Sequence, residues 1–279
     1  MERGMIDRAK IRRIIQEEAI ELDLNLPEPI RRSNPVVKRH LSFYWKTTSM
    51  DVEFIFKVFV FQAVFVGITF VFPALFQIIM PTATVSIIMI PLSMAIYAWV
   101  LYKIGRQSAF HVSDEYTNNT FDLLRITPRS LQSILYSKAA ASIWRYVEDL
   151  GLLLISTALF SLPILIVQFE LLISYEDYPV LMRASLLGAL ATSILRIPLE
   201  VIMASAIGSA VGTLANRRTT AAVSTTLSLI AYFYFVNVIR LLPLGIVPQL
   251  FVDIVLPLLL PSLIIWGCFQ FATFQISRR

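Results

Sequence analysis

The chain has 279 residues, 57% of them hydrophobic and only 15% charged, and its mean hydropathy is +0.70. No ordinary soluble domain of this length has room inside for that much apolar surface, so the composition excludes a water-soluble fold and predicts a protein that uses lipid as its solvent. Apolar runs of about 20 residues suit a helix that crosses a bilayer. The two-residue alternation of a membrane barrel is absent, so the predicted class is all-α, with six transmembrane helices.

Residues 1–33 read as a cytoplasmic N-terminal extension. Within it, 5–22 has the spacing of a short helix, ended by the two prolines of LNLPEPIRRS. The polar character of the first fifty residues predicts no cleavable signal peptide. Residues 34–50 place Val37, Leu41, Tyr44 and Trp45 along one stripe, with Lys38, Arg39 and Lys46 off it. That pattern fits an amphipathic helix in the membrane interface, with Asn34 as its cap and Pro35 in its first turn. A juxtamembrane basic segment without regular structure is the other reading.

Residues 51–279 read as a six-span domain. The spans are predicted at 54–80, at 84–102 after a tight turn at Pro81, around 150–167, and within 186–215, 220–239 and 251–276. The basic residues orient them. Ten of the 24 Lys and Arg lie in the first fifty residues. Lys57 begins the first span; Lys103, Arg106, Arg125, Arg129, Lys138 and Arg145 lie between the second and third. Arg217 and Arg218 join the fourth to the fifth, and Arg278 and Arg279 end the chain. The opposite loops hold only Arg183 and Arg240. Both termini and the 103–145 loop are therefore expected in the cytoplasm.

That loop contains SDEYTNNTFDLLRITPRSLQSILYSK, a soluble-looking insert in an apolar chain. Asn119 or Thr120 can cap a short helix over 120–126, with Asp122 in its first turn and Phe121 and Leu124 on one face. Asp122 and Arg125 are spaced to pair. The helix cannot run smoothly through Thr127–Pro128, so Thr127 is expected to cap a second helix that leads into the third span. An apolar tip on such an elbow fits a protein contact, or else Phe121 and Leu124 rest on the bilayer or on the N-terminal helix.

Two charge groups lie near the spans. Arg196 and Glu200 are one helical turn apart and can pair, either lining a polar path or lying near the outer interface. The second reading is preferred, because 197–215 alone is long enough to span; residues 180–195 would then form a short outer-leaflet helix. Arg145, Glu148 and Asp149 form a second cluster, read as a structural network at the inner mouth. His40 and His111 are isolated in sequence, and the single cysteine, Cys268, permits no internal disulfide. Neither a metal site nor a catalytic grouping is expected. No GxxxxGK[ST] loop is present, so the chain is not expected to hydrolyse ATP by that route.

The segment EYTNNTFDLLRITPRSLQSILYSK resembles the coupling segment of type-2 ABC transporter permeases: an acidic residue, a Gly-Thr-Leu-(Asp/Glu)-Leu-Leu core, Thr-Pro and a downstream Lys. Glu115, Thr120, Phe121, Asp122, Leu123, Leu124, Thr127, Pro128 and Lys138 carry the match. NPVVKRHL is similar to the start that precedes the first span in one branch of that family, and AIGSAVGTLANRRTTAAVSTTLSL to its hairpin between the fourth and fifth spans. Asn119 stands where the family usually has Gly, and His40 where an acidic residue is common. The resemblance implies the membrane subunit of an ABC exporter in a prokaryotic cytoplasmic membrane, with a second permease copy completing the pathway. It also implies a separate P-loop ATPase subunit, carrying ATP and Mg, gripping the helix at 120–126 through Glu115, Thr120, Phe121, Asp122, Leu124, Arg125, Thr127 and Arg129. It implies no cofactor in this chain and no nucleic-acid partner. The alternative is a non-transporting membrane subunit that anchors a larger complex, for example a respiratory or photosynthetic one.

Overall fold

The computed structural model describes residues 23–41, 52–118, 120, 129–173, 177–215 and 217–278. These residues are almost entirely helical and contain no strand. The helices, in chain order, are α1 (Pro35–Leu41), α2 (Val52–Ile68), α3 (Leu75–Thr117), α4 (Leu131–Trp144), α5 (Val147–Leu172), α6 (Pro179–Leu214), α7 (Arg218–Arg240) and α8 (Ile246–Arg278). α5, α6, α7 and α8 are each long and apolar enough to cross a membrane. They coincide with the last four predicted spans, as expected where long apolar runs leave helix as the one way to satisfy the backbone in lipid.

The centre of the bundle is the contact of α3 with α6. Small residues let the two backbones touch: a Cβ added to Gly208 would lie 2.1 Å from the Gly105 carbonyl oxygen, and one on Gly212 2.7 Å from that of Ala109. Ser108 Oγ donates to the Ser205 carbonyl and lies 2.8 Å from Ser209 Oγ, and Ser113 Oγ donates to the Ala215 carbonyl. Residue numbers rise together along these pairs, so the helices run parallel. Small side chains with hydroxyl cross-links are what helix association uses where lipid offers no hydrophobic drive. α5 and α7 flank the pair, and Val100, Leu101, Ile104, Leu153, Val201 and Leu229 form a common buried core.

Two helix boundaries differ from expectation. The chain does not turn at Pro81. α3 runs as helix from Leu75 through Pro81 and Pro91, each of which removes one backbone hydrogen bond without ending the helix, and the break falls at 69–74. Pro73 biases Phe72 away from helical geometry. Buried Arg183 of α6 holds the broken end: its Nη2 and Nε donate to Thr69 O and Oγ1 at 2.6 and 3.2 Å, and its guanidinium lies 4.3 Å from the Phe70 ring centroid. A cation suits the carbonyl end of α2. Likewise, residues 180–195 are not a separate outer helix, because α6 is continuous from Pro179 to Leu214.

The N-terminal part also differs. Asn34 caps α1 as expected, Oδ1 accepting from Val36 N at 3.0 Å. Yet Val37 and Leu41 are buried against Ala140 and Ala141 of α4, a protein surface where the amphipathic pattern suggested lipid. Residues 23–34 are fastened to the same helix. Trp144 Nε1 donates to Ile30 O at 2.8 Å and Ser137 Oγ to Pro29 O at 2.7 Å, while the Arg32 guanidinium stacks 4.4 Å from the Trp144 ring centroid. The alanines of α4 leave a groove that the Val37–Leu41 stripe fills; periodicity cannot tell such a groove from a bilayer. The expected helix at 5–22 and the second half of the interfacial segment lie outside the described residues.

Candidate functional site

The last turns of α3 and the middle of α4 enclose an ion pair at the basic end of the bundle. Glu115 Oε1 lies 3.0 Å from Lys138 Nζ, and the two side chains are 6% and 2% exposed. Lys138 also donates to the His111 carbonyl at 2.8 Å. The other carboxylate oxygen accepts from Thr120 Oγ1, and Thr120 N donates to Glu115 O at 3.0 Å. A buried ion pair repays its desolvation only with good geometry and additional hydrogen bonds, and these contacts supply such bonds to both partners. Burial still lowers the Lys138 ammonium to about 8, although Glu115 pulls the other way.

The two histidines, isolated in sequence, meet here. The His40 ring of α1 lies 4.2 Å, centroid to centroid, from that of His111 on α3, at a tilt of 57°. Burial, then the Lys138 charge, lowers His40 to about 4. Its neutral form is the one that suits a pocket already holding a cation. The junction thus ties α1, α3 and α4 together.

It also fixes both ends of the soluble-looking insert. Thr120, expected as the cap of a following helix, closes the end of α3 onto Glu115. On the far side, Arg129 Nη2 pairs with Glu28 Oε1 at 3.0 Å. The cap of α4 is Ser130, whose Oγ accepts from Ser133 N at 3.2 Å. Helix α4 therefore begins at Leu131, later than a Thr127 cap would place it. Phe121, Asp122, Leu124, Arg125 and Thr127 lie outside the described residues.

A second buried carboxylate lies inside the bundle. Glu200 of α6 is fully buried and accepts from Arg196 Nε at 2.6 Å and from Tyr232 OH at 2.8 Å on one oxygen, and from Tyr97 OH on the other. The Arg196 pairing follows from spacing alone. The two phenols, from α3 and α7, were missed. The signal was there: a tyrosine in an apolar span has a hydroxyl that needs a partner.

A further acid–base contact joins α7 to α8. Arg240 Nε lies 3.5 Å from Asp253 Oδ1, and Asp253 Oδ2 accepts from Gln168 and Gln249 at 3.3 and 3.2 Å. Asp253 sits in a π turn, Phe251–Val255, within α8, a local widening that often marks functional positions. Arg145 lies in the two-residue bend between α4 and α5, and Glu148 and Asp149 occupy the first turn of α5, where negative charge suits the helix dipole.

Among the described residues, no three His, Cys, Asp or Glu side chains come together in a way that could hold a metal ion. No protein-family model, no curated protein and no solved structure matches this chain.

Proposed function

We propose that this protein is the membrane-spanning permease subunit of an ATP-driven exporter, driven by a separate P-loop ATPase that grips residues 120–126 on the cytoplasmic side. The observation that carries the reading is the Glu115–Lys138 junction. It locks the end of α3 to the middle of α4, on either side of residues 119–130, so that a force on 120–126 is delivered to α3 and α4 together. α3 is 43 residues long, about 64 Å at 1.5 Å per residue, twice the thickness of a bilayer core. Its glycine-mediated seam with α6 makes those two helices one stiff body, as rigid-body coupling requires.

On this reading α2 and the apolar half of α3 supply two further spans, giving six, with both termini in the cytoplasm of a prokaryote. A second copy of the chain or a homologue completes the pathway. Phe121 and Leu124 are the buried anchors of the ATPase contact, and Arg125 and Arg129 its polar partners. ATP and Mg belong to the ATPase. Arg196, Glu200 and the two tyrosines brace α3, α6 and α7 as the unit that rocks during transport.

The test is co-purification. Phe121→Asp or Leu124→Asp abolishes recovery of an ATPase subunit with the full chain while membrane insertion is unchanged. Undiminished recovery overturns the wedge. Recovery of respiratory or photosynthetic subunits in place of an ATPase favours an anchoring role.

A further inference from the structure

One face of α3 changes character within a few turns. Leu92, Ile96 and Trp99 are exposed, and at the same helical spacing they are followed by Lys103, Arg106 and Phe110. Lys103 Nζ sits between two rings, 5.2 Å from the Trp99 centroid and 5.5 Å from that of Tyr146. The Arg106 guanidinium lies 5.8 and 5.2 Å from the Tyr102 and Phe110 centroids, and its Nη1 donates to Tyr102 OH at 3.1 Å. Among the described residues neither cation is ion-paired. Arg218, by contrast, is held bidentate by Asp114 at 2.6 and 2.7 Å.

Tyr146 immediately precedes α5, so Lys103 lies level with the start of a membrane-crossing helix. That is the depth at which Trp and Tyr settle among headgroups. Aromatic rings hold the two cations in place without neutralising them, and residues three apart on a helix are about 5–6 Å apart at Cβ, close enough to share one phosphate. A free anion would have no use for the exposed apolar turns on the N-terminal side; an acyl chain would.

We propose that Lys103 and Arg106, framed by Trp99, Tyr102 and Tyr146, form a binding site for an anionic phospholipid, with its phosphate between the two cations and a chain along Trp99, Ile96 and Leu92. The site rests on the chain being a membrane protein and is independent of the transport reading.

The experiment titrates the purified full chain, in detergent micelles, with phosphatidylglycerol or phosphatidylcholine and counts retained lipid by native mass spectrometry. Phosphatidylglycerol is retained preferentially. Lys103→Gln and Arg106→Gln each weaken that preference about 5-fold, from the contribution of a single basic residue near a membrane surface. The exchange Lys103→Arg with Arg106→Lys keeps it, and folding of each variant is checked by helical circular dichroism. Equal retention of the two lipids, or an unchanged preference in both glutamine variants, overturns the site. So does an equal loss in Arg278→Gln, which would mean diffuse surface charge. Competition by glycerol phosphate at the same concentration as the lipid would show an ester-phosphate site with no role for the chain, and would overturn the lipid assignment.

Discussion

Glu115 and Glu200 are both buried carboxylates joined to a cation, but the fold surrounds them differently. Glu200 sits within α6 and collects its partners from one turn away and from two neighbouring helices, so its acceptor positions are filled from inside the bundle. Glu115 lies at the last turns of a helix. Its cation comes from α4, across residues 119–130, and its remaining partner is a threonine just past the helix end. The first arrangement braces helices that are already packed. The second adds a polar link between two segments that also share apolar contacts, Val112 with Leu135 and Ala139. Burial thus has different consequences: at Glu200 it braces the interior of the bundle, and at Glu115 it pins the ends of α3 and α4 on either side of residues 119–130.

The largest effect is expected at Glu200. Glu200→Ala leaves the half-buried Arg196 and Tyr97 and the buried Tyr232 without an acceptor, and breaking a buried pair by removing one partner costs about 3–5 kcal/mol. Denaturant unfolding in mixed micelles measures it, and a loss near zero would mean that water replaces the carboxylate. Next comes Lys138→Met. It strands Glu115, and the cost of an unpaired buried charge is again about 3 kcal/mol, but here it is local. Hydrogen exchange rises at the ends of α3 and α4 while the α3–α6 seam stays protected. Adding Glu115→Gln returns most of the loss, since replacing both members of a buried pair is often near neutral. If the double variant is no better than the single, the pair is not the link.

The smallest effect is on pH response. His40 takes up a proton near 6.5 when free and near 4 in the folded junction. Between those values the released chain binds more protons than the docked one, so docking of α1 is strongest above pH 6.5 and weakens as the pH falls toward 4. His40→Gln flattens that dependence, to be followed by hydrogen exchange of α1. A wild-type profile that is already flat over this window would show that His40 is solvated.

How much was legible follows the same division. Four helices long and apolar enough to cross a membrane and the Arg196–Glu200 pair could be read directly, because both depend on residues close together in the chain. The Pro81 turn was misread. Proline marks where a helix loses one hydrogen bond; the break at 69–74 depends also on Arg183, more than a hundred residues away. The interfacial helix was half-read: its cap and its stripe are local, but the surface that covers the stripe is not. His40 and His111 gave no signal, since nothing in sequence announces that two rings will meet.

Composition and periodicity by themselves determined the membrane class, the helical content and the four clearest spans, because the need to satisfy every backbone group in lipid leaves a long apolar run little choice. Only the tertiary structure decided which polar groups share a site: Lys138 with Glu115, two tyrosines with Glu200, residues 23–41 with α4. These partners lie up to about a hundred positions apart, and a sequence pattern records that a buried polar group needs a partner without recording where the packing of helices will bring one.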